Sequence, residues 1–99
     1  MPPSPVRISV EPDPNRQGAF VATVRDRRGE SRHRVTVGEK DAARFAALGA
    51  EPAAAVKAAM AFLVDREPKE SILAAFDIDV IRRYFPEFDN AFPGYLERL

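Results

Sequence analysis

Apolar and polar residues alternate with a period of two in three stretches of the first half of the chain. Val6-Arg7-Ile8-Ser9-Val10 is the first, and Ala19 to Arg25 the second, with Phe20, Ala22 and Val24 on one side. Ser31 to Val37 is the third, with His33, Val35 and Val37 together. Such alternation marks a half-buried strand, because successive side chains on a pleated backbone point to opposite faces. The separators are turn-forming. Glu11 to Gly18 holds Pro12, Pro14, Asn15 and Gly18, and Asp26-Arg27-Arg28-Gly29-Glu30 reads as a hairpin loop with Gly29 at a positive-φ position. Short loops between strands predict an antiparallel meander.

Beyond Gly38 the apolar spacing becomes helical. Glu39 and Asp41 suit a first turn, where the helix dipole favours acids. Phe45 and Leu48 share a face, and Gly49 suits a C-terminal cap. A second helix is predicted from Pro52 to Arg66, with Val56, Met60, Leu63 and Val64 forming a stripe expected to lie across the inner face of the sheet. Pro68 opens a further helical turn, with Ile72, Leu73 and Phe76 apolar. Asp77 is expected to cap a last helix, Ile78 to Tyr84, which Pro86 stops. The tail from Glu87 carries Phe88, Phe92, Tyr95 and Leu96, so it is expected to dock on the body or on a second chain. The pattern predicts an α+β fold: a three-stranded antiparallel β-meander followed by three to four short helices packed on one face. Residues 6–99 are expected to form its single domain, and residues 1–5 a disordered tail.

Composition narrows the chemistry. A chain of 99 residues, 45% apolar and 30% charged, suits one globular domain. No run approaches the roughly 20 apolar residues of a membrane span. Met1-Pro2-Pro3-Ser4-Pro5 has neither the basic start nor the apolar stretch of a secretory signal, so a cytoplasmic protein without membrane association is expected. The absence of cysteine removes disulfides, thiolate ligands and cysteine nucleophiles. Net charge is zero but unevenly spread. Residues 1–50 carry nine Lys/Arg against six Asp/Glu, and residues 51–99 reverse those numbers.

That asymmetry concentrates in Arg25, Arg27, Arg28, Arg32 and Arg34. The meander places Arg7, Arg25, Arg32 and Arg34 on the outer face, opposite the helices, with Arg27 and Arg28 at the loop tip. Such a cluster suits the phosphates of a nucleic acid or an acidic partner, or serves as a solvated sheet face that discourages edge pairing. No aromatic residue lies between Arg25 and Arg44 to stack a base.

Among the C-terminal aromatics, Tyr84, Phe85 and Phe88 are expected in the core, whereas Phe92 and Tyr95 are candidates for a protein interface as well as for the core. His33, the single histidine, is expected to be a partly buried inner-face residue rather than a ligand or base. Asp77 and Asp79 are read as capping residues. The chain has no Gly-rich phosphate loop, no G-x-S-x-G and no H-E-x-x-H. No catalytic residue, metal site or cofactor is therefore expected. The residues favour a non-enzymatic interaction or regulatory module with an unknown protein partner or a second copy of itself. The alternative is a nucleic-acid-binding protein that uses the arginine hairpin.

Two resemblances add to this reading. Phe62 to Leu73, followed by Phe76-Asp77, Ile81 and Arg83-Tyr84-Phe85-Pro86-Glu87-Phe88, resembles a family of small bacterial proteins of unknown function. The likeness spans about residues 18–90 and implies no activity, cofactor or partner. Gly18-Ala19-Phe20-Val21-Ala22-Thr23-Val24 is fainter in its similarity to the second strand of HicB-type antitoxin domains, which also follow short strands with a helix.

Overall fold

The alternating stretches form three strands, β1 (Arg7–Pro12), β2 (Ala19–Asp26) and β3 (Gly29–Thr36), in a computed structural model that describes residues 6–98. The disordered tail expected at residues 1–5 lies outside the described residues. The strands pair antiparallel, with Ile8 opposite Val24, Ala22 opposite His33 and Phe20 opposite Val35. This register turns Ala22, Val24, His33 and Val35 into the interior and leaves Arg25, Arg32 and Arg34 exposed. The β2–β3 turn is tight. Asp26 pairs with Gly29, leaving Arg27 and Arg28 at the tip. Gly29 takes a φ of 129°, which an L side chain rarely adopts, and the Asp26 carboxylate accepts the Arg28 N–H at 2.8 Å.

α1 (Glu39–Ala47) and α2 (Pro52–Val64) follow, divided by Gly49 at a φ of 78°. Pro52 occupies the first turn of α2, where its missing N–H costs no bond. α2 is buried over most of its circumference: Ala55, Val56, Ala58, Ala59, Met60, Phe62 and Leu63 are all enclosed. It lies between β1 and β2 on one side and the C-terminal helix on the other, and its alanines allow close approach on both.

The chain beyond α2 differs from expectation in an added strand and in the role of Asp77. Ala75–Asp77 is a fourth strand, β4, parallel to β3, with Phe76 beside Val35. The sheet is therefore mixed and four-stranded in the order β1-β2-β3-β4. The helical turn expected to open at Pro68 is present, as a short 3-10 segment, Lys69–Ser71. Asp77 ends β4 instead of capping a helix. Its carboxylate accepts the Thr36 hydroxyl at 2.8 Å and the Asp79 N–H at 3.0 Å, and α3 (Val80–Tyr84) starts only after Asp79. Asp79 makes no side-chain bond to the helix backbone and instead meets Arg82 at 3.0 Å.

The C-terminal stretch is a helix, α4 (Phe88–Glu97), with Pro93 inside it. Phe88 and Phe92 are buried. Phe62 meets Phe85, Phe88 and Tyr95 edge-on at centroid distances of 5.7, 5.1 and 5.6 Å, and Phe92 stacks on Phe45 at 4.9 Å. This aromatic cluster joins α2 and α4 and closes the helical layer. Arg82 fastens the other helices. Its guanidinium reaches the buried Asp41 of α1 at 2.7 Å and Asp89 of α4 at 2.8 Å. Burial works against its charge, but the hydrogen bonds to Asp41, Asp89 and Asp79 prevail and hold its proton more tightly than usual. Among the described residues no single helix is long and apolar enough to cross a membrane.

Candidate functional site

The five arginines of the hairpin do not behave alike. Arg25 and Arg34 share the outer face with Arg32, but each has an acid: Glu30 at 3.3 Å from Arg25, and Asp13 at 3.3 Å from Arg34. Arg27 and Arg28 stand exposed at the tip, and among the described residues they and Arg32 make no ion pair. The structure therefore brings the five to one hairpin and divides them, two neutralised and three open. Asp13 comes from the β1–β2 loop, a pairing that sequence distance conceals.

The hairpin is also tied to the segment after α2. Lys69 is buried, and its ammonium lies 2.8 Å from Asp26 beside the hairpin tip and also meets Glu70. Hydrogen bonding to Lys69 holds the Asp26 carboxyl below its ordinary range, and the same bond raises the affinity of Lys69 for its proton. His33 makes a second tie. It is buried, as expected for an inner-face residue, and its Nδ1 donates to the Leu73 carbonyl at 2.8 Å. Its Nε2 lies 2.8 Å from the Ser31 hydroxyl, so both ring nitrogens are satisfied within the fold.

The two aromatic interface candidates turn inward. Phe92 is 2% exposed and is part of the core. Tyr95 is half-buried. Its hydroxyl donates to Asp65 at 2.6 Å and accepts from Arg66 at 3.1 Å, which pins α4 to the end of α2. Phe92 thus presents no surface to a partner, whereas Tyr95 commits its hydroxyl to Asp65 and Arg66 and keeps part of its ring accessible.

The exposed apolar surface lies elsewhere. Tyr84, expected in the core, is 68% exposed, and Leu73 is 51% exposed. Both flank a groove of about 330 Å³ between the Ile72–Phe76 segment and α3, floored by Leu63, Ile72, Ile81 and Phe85. Tyr84 escapes the core because α3 ends there. Tyr84 is the last residue of α3, and the chain leaves helical geometry at Phe85, with a φ of −133°. Glu67 lines the groove, and no lysine or arginine does so among the described residues.

The groove opens beside a free sheet edge. Arg34 donates its N–H to Ala74 and Thr36 accepts from Ile78, so β3 bonds alternate residues of β4. That alternation turns the N–H and C=O of Ala75 away from β3, and Ala74 and Ala75 are exposed. The sequence signal that bears on this site is the apolar excess of Ile72, Leu73 and Phe76 over what a short helical turn can bury.

Among the described residues, no three His, Asp or Glu side chains converge as metal ligands. Comparison of the chain with models of protein families, with curated proteins and with solved structures returns no match.

Proposed function

We propose that this protein is a non-enzymatic interaction module, and that its partner protein contributes an extended apolar segment to the free edge of β4. The observation that carries this reading is the coincidence of an open strand edge with an apolar groove whose two rim side chains, Leu73 and Tyr84, are exposed. A strand added beside β4 gains backbone hydrogen bonds from Ala75 and lays every second side chain over the groove. Phe76 already extends the inner face in that direction, since it sits beside Val35. Charge selects the segment further. With Glu67 as the acid in the groove lining and no lysine or arginine in that lining among the described residues, a lysine or arginine next to the apolar residues is favoured.

The test is to select from a displayed library of random short peptides with the full chain as bait. Enriched sequences should alternate apolar residues and carry a basic one. Leu73→Lys and Tyr84→Ser should each weaken a selected peptide at least about tenfold, in keeping with the loss of an anchoring side chain. Failure to enrich any motif, or binding indifferent to both substitutions, overturns the reading.

A further inference from the structure

The opposite edge of the sheet carries a different surface. Beside β1 lies a groove of about 630 Å³ whose described lining includes Arg7, Arg25, Lys57 and Arg98, with Glu30 as its one carboxylate. The cations come from four elements: β1, β2, α2 and the C-terminal end of α4. In a chain of zero net charge, this is a local excess of positive charge with an apolar floor that includes Ile8 and Ala61.

The sheet register sharpens the point. Arg7 and Arg25 are direct cross-strand partners, and Glu30 sits on the far side of Arg25. Like charges placed directly opposite one another across two strands repel. Glu30 meets Arg25 at 3.3 Å and Asp65 lies 3.7 Å from Arg98, whereas no carboxylate pairs with Arg7 or Lys57 among the described residues. Elsewhere the fold answers its enclosed cations generously: Arg82 faces Asp41, Asp79 and Asp89, and Lys69 faces Asp26 and Glu70. The next row on the outer face is Ser9 opposite Thr23, and both hydroxyls line the groove as neutral donors. Guanidinium forks and hydroxyls on the outer face of the sheet, with an ammonium and a further guanidinium on the helical side of the β1 edge, are the donor types that phosphate oxygens require. The volume lies within the range of small-molecule sites.

From this arrangement we infer that the β1 groove binds a small phosphorylated molecule carrying at least two phosphate groups. One phosphate spans Arg7 and Arg25, relieving their repulsion, with Ser9 and Thr23 donating to its remaining oxygens. Lys57 and Arg98 take the second from the helical side. An organic portion, where the ligand has one, rests against Ile8, Ala61 and the Tyr95 ring. This site lies across the sheet from the β4 edge and does not depend on the interaction proposed there.

The experiment is a titration of the isotope-labelled full chain, followed by NMR, with orthophosphate, pyrophosphate, ADP and a short single-stranded oligonucleotide as probes. Saturable shifts confined to the neighbourhood of Arg7, Ser9, Thr23, Arg25 and Lys57 are expected with pyrophosphate and ADP. Equal affinity for the two identifies the phosphates alone as the recognised group, and tighter ADP binding adds the organic portion. Arg7→Gln and Lys57→Gln, both at exposed positions, should each weaken binding about tenfold or more, whereas Arg27→Gln at the hairpin tip should leave it unchanged. Three results overturn the proposal. One is the absence of saturable shifts at about 10 mM pyrophosphate, which is beyond the weakest useful affinity. Another is orthophosphate binding as tightly as pyrophosphate. The third is preference for the oligonucleotide with shifts spreading to Arg27, Arg28 and Arg32, which would reassign the surface to a nucleic acid.

Discussion

The Lys69 ammonium lies 2.8 Å from the Asp26 carboxylate, joining the turn after α2 to the tip of the β2–β3 hairpin. The lysine side chain is 3% exposed, so its charge depends on this partner and on Glu70 for the hydrogen bonds that water would otherwise supply. The acid that would temper the arginine tip is therefore engaged from below.

This pair makes stability depend on pH in a defined direction. The Asp26 carboxyl, lowered by its bond to Lys69, contributes fully above its ordinary value of 3.8 and loses that contribution as pH falls through the lower folded value. Lys69, raised by the same bond, contributes fully below 10.5 and loses that contribution as pH rises through the higher folded value. Denaturant unfolding of the wild type and of Lys69→Met should differ by a constant amount between those limits, with the difference narrowing beyond each. A difference that ignores pH would show that the charges contribute nothing.

Arg82→Leu should be costly. It leaves Asp41, 5% exposed, as an uncompensated buried carboxylate beside α1. A loss of about 3–5 kcal/mol is expected in equilibrium unfolding. Adding Asp41→Asn to the same chain should recover part of that loss, because the orphaned charge is then gone. A double variant no more stable than Arg82→Leu would argue that the guanidinium acts through packing alone.

Phe92 and Tyr95 should separate cleanly. Phe92→Ala removes a ring stacked 4.9 Å from Phe45 and should cost about 3–5 kcal/mol. Tyr95→Phe keeps the ring against Phe62 and removes only a hydroxyl shared with Asp65 and Arg66, for a loss of about 1 kcal/mol. Thermal or denaturant melts of the two variants suffice to compare them. Similar small losses would place Phe92 outside the core.

The groove rim should be nearly silent in stability. Leu73 and Tyr84 are half or more exposed, so Leu73→Lys and Tyr84→Ser should change unfolding free energy by no more than about 0.5 kcal/mol. A large destabilisation would mean that these side chains hold the fold and are not free for a partner.

Period-two alternation was enough to place β1, β2 and β3 and their inner faces, because each strand is half buried and a one-residue slip would expose every apolar side chain. Val56, Met60 and Leu63 likewise announced α2. β4 was not legible. Ala75-Phe76-Asp77 is too short to show any period, and its strand form depends on β3 offering a free edge, with each β4 residue paired to one 41 positions earlier in the chain. α4 was half visible: Phe88, Phe92, Tyr95 and Leu96 have helical spacing, but Pro93-Gly94 reads as a breaker. Burial of two phenylalanines against Phe45 and Phe62 outweighs that local penalty.

The sequence by itself determined the meander, the α+β class, the turn at Gly29 and the inward side of His33, since each follows from local periodicity or backbone sterics. Only the tertiary structure decided which charges are answered and which apolar side chains stay open. Asp13 reaches Arg34, Lys69 reaches Asp26, Arg7 faces Arg25, and Tyr84 is left at the surface. These outcomes depend on which distant segments meet. An ion pair or an uncovered ring acts over a few ångströms, whereas the separation of its partners along the chain carries no trace of that distance.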